Sequence, residues 1–275
     1  MKNKLITLLF MLPGVLCFTL LFLYPMGYTF MLSIQKSEIP WEFTFEHYTN
    51  YLTSAEGWRI LSLSFSLALF PTILIILVSI PFSLLIRKKL KGHRFYRLLM
   101  ILPMMVPSLI STLGLMLLFN TNGWFNLFLL DVLKVSEPLS VNYTMKGLII
   151  YYAWLHFPYT AISTLVAVEG MDRQAESAAS VCGASPLQVF RHITLPLVMP
   201  GILSGSIMTF LLCFGTFSVP LIAGGEYRPI AVQVYTQTAV FNDWSKGSAL
   251  AIIMAVIQVL LMMIYLKISR KRVVK

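Results

Sequence analysis

Six long apolar runs, each without Asp, Glu, Lys or Arg, account for most of the chain. A helix needs about 20 predominantly apolar residues to cross a bilayer, and each run reaches that length. Lipid admits only helices and closed barrels, and these runs are too long and too uniformly apolar for barrel strands. The pattern predicts an all-α membrane protein with six spans, at about 5–34, 60–86, 98–119, 147–168, 201–223 and 248–266.

The lysines and arginines indicate the orientation of these spans. With the N-terminus inside, 15 of the 21 Lys and Arg residues fall in cytoplasmic segments and 6 in external segments. Positive residues accumulate on the cytoplasmic side, so this asymmetry predicts that both termini are cytoplasmic. The first run exceeds the roughly 7–15 residues of a signal-peptide core and is interpreted as a retained span. We expect residues 1–275 to form one transmembrane domain.

Prolines and glycines within the runs bear on how the spans pack. Prolines lie in or at the ends of several spans, where neighbouring helices satisfy the backbone groups that proline leaves free. Gly201 and Gly205 have the small-x3-small spacing that allows a second helix to approach closely. We therefore expect a tight helix contact near the start of the fifth span.

Composition excludes several other classes of protein. The chain is 57% hydrophobic and only 12% charged, whereas soluble domains carry about 25% charged residues. The net charge of +10 would suggest a nucleic-acid partner in a soluble protein. Here the charges lie in short loops between spans, so we predict contact with lipid and none with nucleic acid. The three cysteines, Cys17, Cys182 and Cys213, are far apart and predict neither a disulfide nor a metal site.

The spans offer no energy source of their own. Ion-coupled transporters usually place an ionisable residue within a span, and the only such candidate is His156, beside Trp154 and Tyr159. The chain has no G-x-x-x-x-G-K-[ST] phosphate loop and no hydrolase motif, so we do not expect an enzyme. If the chain moves a solute against a gradient, the energy must come from a partner.

The longest cytoplasmic loop, residues 169–200, predicts two short helices. The first lies around Arg173–Cys182 and is rich in alanine and serine. Gly183 follows it, at a position where a helix end favours a residue that tolerates positive φ. The small side chains would fit a groove on another protein. The alternative is an ordinary amphipathic return into the membrane.

The second loop helix has its own start and stop signals. Ser185 is suited to cap its N-terminus, and Pro186 occupies the first helical position. We expect the helix to continue to about Ile193, and Pro196 and Pro200 to end it before the fifth span.

The spacing of this loop resembles the EAA loop of ABC importer permeases, whose pattern is E-A-A-x3-G-x9-I-x-L-P. Three residues separate Ala179 from Gly183, and nine separate Gly183 from Ile193, as in that pattern. The departure is at the first position, where Ser177 replaces the usual glutamate and Glu176 lies one residue earlier. The resemblance implies an ATPase-coupling loop that comprises Glu176, Ser177, Ala178, Ala179, Gly183, Ile193, Leu195 and Pro196.

Other segments resemble the same family over most of the chain. The fifth span is most similar to the polyamine-type branch, which also includes relatives for iron, thiamine and phosphonates. The segments that carry this resemblance are Tyr24-Pro25, Leu102-Pro103-x3-Pro107, Gly123-x2-Asn126 and Phe214-Gly215-x4-Pro220-x3-Gly224-Gly225.

The resemblance implies a complete set of partners. Two permeases, this chain and a paralogue, would share one pathway in the bacterial inner membrane. A cytoplasmic ABC ATPase dimer would bind ATP and Mg, so the chain itself would hold no cofactor and no metal. An extracytoplasmic binding protein would deliver the solute, a small polar or charged molecule, with a polyamine-like solute favoured. The alternative function is an ion-coupled secondary transporter or a channel.

Polar and aromatic residues in the third to fifth spans are candidates to line the pathway, although each could instead pack against a neighbouring helix. No acidic residue lies in the spans, so a cationic solute would be held by aromatic faces or hydroxyl groups. The basic inner loop Arg87–Arg97 is interpreted as a topology signal in contact with lipid headgroups, with ATPase contact as the alternative. The candidate pathway residues are Asn120, Trp154, His156, Tyr159, Thr216 and Ser218.

Overall fold

The computed structural model describes residues 2–36, 42–88 and 92–273. These residues are almost entirely helical and contain no strand, which confirms the all-α prediction. Three short π-helical turns, Thr19–Leu23, Phe190–Thr194 and Thr236–Val240, interrupt the α-helices. The α-helices are α1 Lys2–Phe18, α2 Tyr24–Ser33, α3 Glu46–Thr53, α4 Ala55–Arg87, α5 His93–Met105, α6 Ser108–Leu118, α7 Trp124–Asp131, α8 Met145–Gly170, α9 Arg173–Val181, α10 Pro186–Val189, α11 Leu195–Gly215, α12 Ser218–Ala223, α13 Ile230–Tyr235 and α14 Trp244–Val273.

Four helical stretches in the described part of the chain are long and apolar enough to cross a membrane, and a bent pair of helices makes a fifth. Helix α8 has 26 residues, or about 39 Å at 1.5 Å per residue, which is also a spanning length. Its polar and aromatic side chains lower its hydropathy. Tyr151, Tyr152 and His156 are among them, and all three are buried in the protein. Six spans with both termini inside therefore stay a prediction. The four stretches are Phe10–Ser33, Ala55–Arg87, Pro186–Gly215 and Trp244–Lys267, and the pair is α5 with α6.

The contacts divide the chain into two units, Met1–Arg59 with Ile230–Ile257 and Ile60–Pro229 with Gln258–Lys275. In the first unit, α3 is tied to the end of α2 by polar contacts. The hydroxyl of Tyr48 donates to Ser33 Oγ at 2.5 Å, and His47 Nε2 lies 3.1 Å from the carbonyl oxygen of Gln35.

The second unit is built around α8, which packs most extensively against α11 and also contacts α5, α6 and α12. Two apolar clusters include residues from the C-terminal half of α8. Ala161 and Leu165 pack with Ile86 and Met100, and Val168 packs in a separate cluster. Helix α8 therefore lies at the centre of this unit, with twelve of its 26 residues buried.

The contact between α8 and α11 confirms the close approach expected from the glycine spacing. A Cβ atom added at Gly201 would lie 2.3 Å from Ala167 Cβ, and one added at Gly205 would lie 2.8 Å from Thr160 Cα. Polar bonds accompany this contact, with Thr160 Oγ1 at 2.7 Å from Thr209 Oγ1. Small residues thus bring the two backbones together, and hydroxyl groups then join them.

The third predicted span, 98–119, is not one straight helix. It breaks between α5 and α6, which meet at 108°. Val106 is extended, with φ −97° and ψ 129°, as expected for a residue that precedes proline. Pro107 has no N–H to continue the helix, so the break follows directly from the sequence Val106-Pro107.

The fifth predicted span, 201–223, also has different limits. Helix α11 begins at Leu195 and ends at Gly215, and α12 is a separate short helix. The expectation that Pro196 and Pro200 end the second loop helix was wrong, because α11 continues through both. The π-helical turn Phe190–Thr194 widens the helix before Pro196, and the N–H of Leu195 bonds to the carbonyl of Phe190 five residues back. This wider turn accommodates the missing proline N–H without ending the helix.

Candidate functional site

The first loop helix, α9, has the start and the end that the sequence predicts. At its N-terminus, Asp172 Oδ1 accepts a hydrogen bond of 2.9 Å from the N–H of Gln174. At its C-terminus, Gly183 has φ +85°, and its N–H donates to the carbonyl of Ser180 at 3.1 Å. The N–H of Ala184 then bonds to the carbonyl of Ala179 at 3.0 Å. This closed turn holds the C-terminus of α9 in one geometry.

The second loop helix, α10, begins with a capping box. The N–H of Gln188 donates to Ser185 Oγ at 3.4 Å, and the N–H of Ser185 donates to Gln188 Oε1 at 2.8 Å. Pro186 occupies the first turn, where its missing N–H costs nothing. Together, α9 and α10 form a helix–turn–helix as expected, although α10 continues through the π-helical turn into α11 and does not end near Ile193.

One face of this helix–turn–helix is apolar and exposed. Val181 is 89% exposed and Leu187 is 73% exposed, although both are aliphatic side chains. Ala178 and Cys182 are exposed beside them, as is Ser177, whose hydroxyl only bonds back to the carbonyl of Arg173. Of the other predicted loop residues, Pro196 and Gly183 are exposed, whereas Glu176, Ala179, Ile193 and Leu195 are partly buried.

Glu176 faces away from this exposed surface and joins three elements. Arg87 Nη1, at the end of α4, lies 3.0 and 3.1 Å from its two carboxylate oxygens. The hydroxyl of Thr194, at the end of the π-helical turn, donates to Glu176 Oε1 at 2.6 Å. Arg173 Nη2 adds a bond of 3.0 Å to the carbonyl of Arg87. The carboxylate is therefore occupied by internal partners.

A cavity of about 600 Å³ lies beside this ion pair. Sequence reasoning placed Arg87 in a basic loop without a specific partner and did not identify Thr194. A basic residue at the end of α4 was visible in the sequence, but its pairing with a residue 89 positions away was not. The cavity is lined by Leu84, Arg87, Lys88, Arg173, Glu176, Ser180, Ala184, Pro186, Val189, Phe190 and Thr194.

A second group of candidate residues meets where helices break. His156 and Tyr159 line a cavity of about 400 Å³ at the bend between α5 and α6. His156 Nε2 lies 2.8 Å from Thr216 Oγ1, in the break between α11 and α12. Ser218 Oγ, at the start of α12, donates to Ser108 Oγ at 3.0 Å. The remaining lining of the cavity is Pro103–Ser108 and Leu155.

Thr216 and Ser218 reach this cavity only through their bonds to His156 and Ser108, and the structure does not bring Trp154 or Asn120 to it. Trp154 is 42% exposed and is absent from the lining. Asn120 lines a separate cavity of about 270 Å³ next to Asn142 and Tyr143. The loop around it is fixed by the fully buried Asn126, which bonds to the carbonyls of Phe119, Asn120 and Leu139. Within residues 2–36, 42–88 and 92–273, no group of three His, Cys, Asp or Glu side chains offers a metal site.

Comparisons with known proteins agree with these features. A family model described as binding-protein-dependent transport system inner membrane component matches residues 79–275. The spermidine/putrescine transport system permease protein PotB of Escherichia coli is 29% identical over 246 residues, which cover 89% of each chain. PotB of Haemophilus influenzae is 30% identical over 232 residues, which cover 82% of this chain and 80% of that one.

Solved structures show the same fold. A chain of a bacterial alginate ABC transporter, crystallised in complex with an alginate pentasaccharide-bound periplasmic protein, superimposes with a TM-score of 0.79. It covers 98% of this chain and 96% of its own length, at 17% sequence identity. A chain of the MetNI methionine ABC transporter, in an inward-facing conformation, gives a TM-score of 0.56 at 14% identity and covers 80% of this chain and 99% of its own.

Proposed function

We propose that this chain, which belongs to the family of binding-protein-dependent transport system inner membrane components, forms half of a solute pathway and couples it to a cytoplasmic ATPase. As a permease of the polyamine-type group, it lies in the bacterial cytoplasmic membrane and crosses it several times. The observation that carries the coupling proposal is the exposed apolar face of α9 and α10.

This face has the properties of a docking surface. Val181 and Leu187 are among the most exposed aliphatic side chains of the described residues, and burial of such apolar surface against a partner is favourable. The small residues Ala178 and Ser177 beside them leave the backbone of α9 close to any partner. Because the spacing of this loop is that of the EAA pattern, we propose that its partner is an ATPase groove on the cytoplasmic side.

The membrane part of the proposal has six spans with both termini in the cytoplasm and one transmembrane domain over residues 1–275. The remaining span, the fourth in chain order, would be α8. Its length suffices for a crossing, and it packs against α11 and α5. This orientation places α9 and α10 on the cytoplasmic side, where an ATPase dimer would bring ATP and Mg. A second permease, a paralogue, would complete the pathway, and an extracytoplasmic binding protein would deliver the solute.

The helix breaks are the proposed solute passage. Pro107 has no N–H for the carbonyl of Pro103, and in the part of the chain described no hydrogen bond reaches the carbonyls of Met104 or Met105. Pro103, Met104 and Met105 all line the cavity. Free carbonyls at the end of a broken helix carry partial negative charge, which suits a cation in the absence of a carboxylate.

His156 adds a buried hydrogen-bond acceptor next to the same cavity. The hydroxyl of Thr216 donates its one hydrogen to the carbonyl of Leu212 at 2.7 Å, so it accepts from His156 Nε2–H. His156 Nδ1 is then an acceptor, and it has no partner among the described residues. With the ring of Tyr159 nearby, these acceptors favour an ammonium group. We propose a polyamine-like solute, the class named for the two PotB relatives.

Replacing Thr216 with valine tests this passage. Valine has the shape of threonine but leaves His156 Nε2–H buried without an acceptor, at a cost of about 1–3 kcal/mol. We expect the KM for spermidine uptake to rise roughly tenfold. Thr164→Val is the matched control, because Thr164 is a buried threonine of α8 whose hydroxyl has no partner within the described residues. An unchanged KM in Thr216→Val, or an equal rise in both variants, would remove Thr216 and His156 from the pathway.

The proposed function predicts uptake that requires ATP. The tagged chain, purified from native membranes with its partners, is reconstituted into proteoliposomes with its binding protein outside and ATP inside. We expect radiolabelled spermidine or putrescine to accumulate with ATP and not with its non-hydrolysable analogue. Uptake driven instead by a proton or sodium gradient without ATP would favour the alternative function, an ion-coupled secondary transporter or channel.

A further inference from the structure

We infer that Glu176 is an internal strut, a positioning residue through which movement of α9 reaches α4 and α11. The inference rests on the proposed coupling function and adds the residue that transmits the movement. It also assigns Glu176 to internal transmission and not to docking, because the exposed face of α9 and the carboxylate of Glu176 point in different directions.

The need for a strut follows from the cavity of about 600 Å³ beside α9. Residues of α4, α9 and α10 line it, so open space lies between α4 and α9, whereas α9 packs directly against α10. Close-packed side chains transmit displacement well, whereas a gap of this size does not. Among the described residues, the polar contacts from α9 to α4 are those of Glu176 with Arg87 and of Arg173 with the Arg87 carbonyl.

The carboxylate of Glu176 joins all three elements at one point. It pairs with Arg87, the last residue of α4, and accepts from Thr194, which immediately precedes α11. The side chain of Arg87 is 9% exposed and that of Glu176 is 25% exposed, so solvent screens this pair less than a surface pair. Thr194 itself is only 3% exposed. A displacement of α9 would therefore be transmitted to α4 and α11 at the same time.

The neighbouring residue shows why this acid is not a docking contact. Ser177 follows Glu176 by one position, which is a rotation of roughly 100° around a helix. Ser177 is exposed on the docking side, whereas Glu176 is turned toward Arg87. The position at which the EAA pattern carries its glutamate is thus neutral here, and the acid one residue earlier faces inward.

A second ion pair in the same region supplies a matched control. Glu169 pairs with Arg97 and joins the end of α8 to α5. The two side chains of this pair are more exposed, at 37% for Glu169 and 45% for Arg97, and neither belongs to α9. If removing any charge near the loop reduced coupling, variants of both ion pairs would show the loss. If the strut is responsible, only variants of Glu176 and Arg87 would show it.

The first test compares spermidine transported per ATP hydrolysed in the reconstituted native complex. In Glu176→Gln we expect this ratio to fall roughly tenfold, within the usual range of an allosteric coupling, while basal ATP hydrolysis and recovery of the complex are retained. Glu169→Gln should keep the wild-type ratio. The double variant Arg87→Glu/Glu176→Arg should recover much of it. A wild-type ratio in Glu176→Gln, or equal losses in Glu176→Gln and Glu169→Gln, would overturn the strut.

The second test does not depend on the solute. Spin labels at Gln174→Cys on α9 and Lys88→Cys beyond α4, with Cys17 and Cys182 replaced by serine, report the distance between the two helices. We expect the same narrow distribution in the nucleotide-free and the ATP-trapped complex, and a broad one in Glu176→Gln. An ATP-dependent change of distance in the wild-type complex would contradict a rigid strut.

Failure of the strut and failure of the proposed function give different results. If the chain does not belong to an ATP-driven importer, the wild-type complex itself shows no ATP-dependent uptake. If only the strut is wrong, the wild type transports with ATP and Glu176→Gln does so with the same ratio.

Discussion

Gly183→Pro is expected to abolish ATP-driven uptake while leaving the chain in the membrane. Gly183 has φ +85°, and proline is fixed near −65°. Proline also removes the N–H that donates to the carbonyl of Ser180, and it disfavours the conformation of Cys182, with φ −74° and ψ 5°. The turn that ends α9 cannot form, so the docking face loses its geometry. We expect uptake at the background of vesicles without ATP.

Two further variants distinguish the backbone conformation of this turn from the apolar character of the docking face. Gly183→Asn is the conservative control, because asparagine tolerates the left-handed region at a modest cost, and it should retain most uptake. Ala178→Glu keeps the backbone but places a charge in the middle of the exposed apolar face, and it should also abolish uptake. Wild-type uptake in Gly183→Pro, or in Ala178→Glu, would show that this loop does not couple the ATPase to the pathway.

Gly205→Val is expected to have the largest effect on folding. The new Cβ would lie 2.8 Å from Thr160 Cα, 2.9 Å from Ser163 Cβ and 3.2 Å from the carbonyl oxygen of Thr160. Two of these three atoms belong to the backbone of α8 and cannot rotate away. The helices must separate, at a cost of about 3 kcal/mol at the upper end of overpacking. Such a loss is a large part of the stability of a typical domain.

The measurement is the thermal midpoint of the detergent-solubilised chain, together with the amount recovered as a single species. We expect Gly205→Val to lower both strongly. Gly114→Val is the matched control, because Gly114 lies in α6 and a Cβ added there meets no atom within 4 Å. If Gly205→Val and Gly114→Val unfold at the same temperature as the wild type, α8 and α11 do not pack as described.

The local features that were predictable from sequence all depend on near neighbours in the chain. Gly183, Ser185 and Pro186 determine the turn between α9 and α10 because each imposes its own backbone conformation or cap. The spacing of Gly201 and Gly205 was sufficient to predict the close approach of a helix, although not that the helix would be α8. The apolar runs likewise predicted the all-α fold.

The features that were missed depend on contacts between distant segments or on a balance of forces within a helix. The pairing of Arg87 with Glu176 joins the end of α4 to α9, and no periodicity in the sequence predicts it. Pro196 does not end the helix, because the π-helical turn at Phe190–Thr194 accommodates it, and α11 also continues through Pro200. The presence of a proline in the sequence does not show whether the helix tolerates it. The break at Pro107 was accessible in principle, since Val106 must be extended before proline.

The assignment of the acid in the coupling loop changes with the structure. Sequence alone left open whether Glu176 replaces the glutamate that the family pattern has at Ser177. The internal bonds of Glu176 to Arg87 and Thr194 account for its carboxylate, and Ser177 remains on the exposed side. The docking face that we propose is therefore uncharged in this chain, and its contact with a partner would depend on shape and apolar area.

The most direct test of the central claim is affinity purification of the tagged chain from native membranes in mild detergent, with identification of the proteins that accompany it. We predict a soluble ABC ATPase and a second permease in the wild-type preparation. The ATPase should be lost, and the second permease retained, in Ala178→Glu. Recovery of the chain alone, with transport intact in vesicles that lack ATP, would contradict the account.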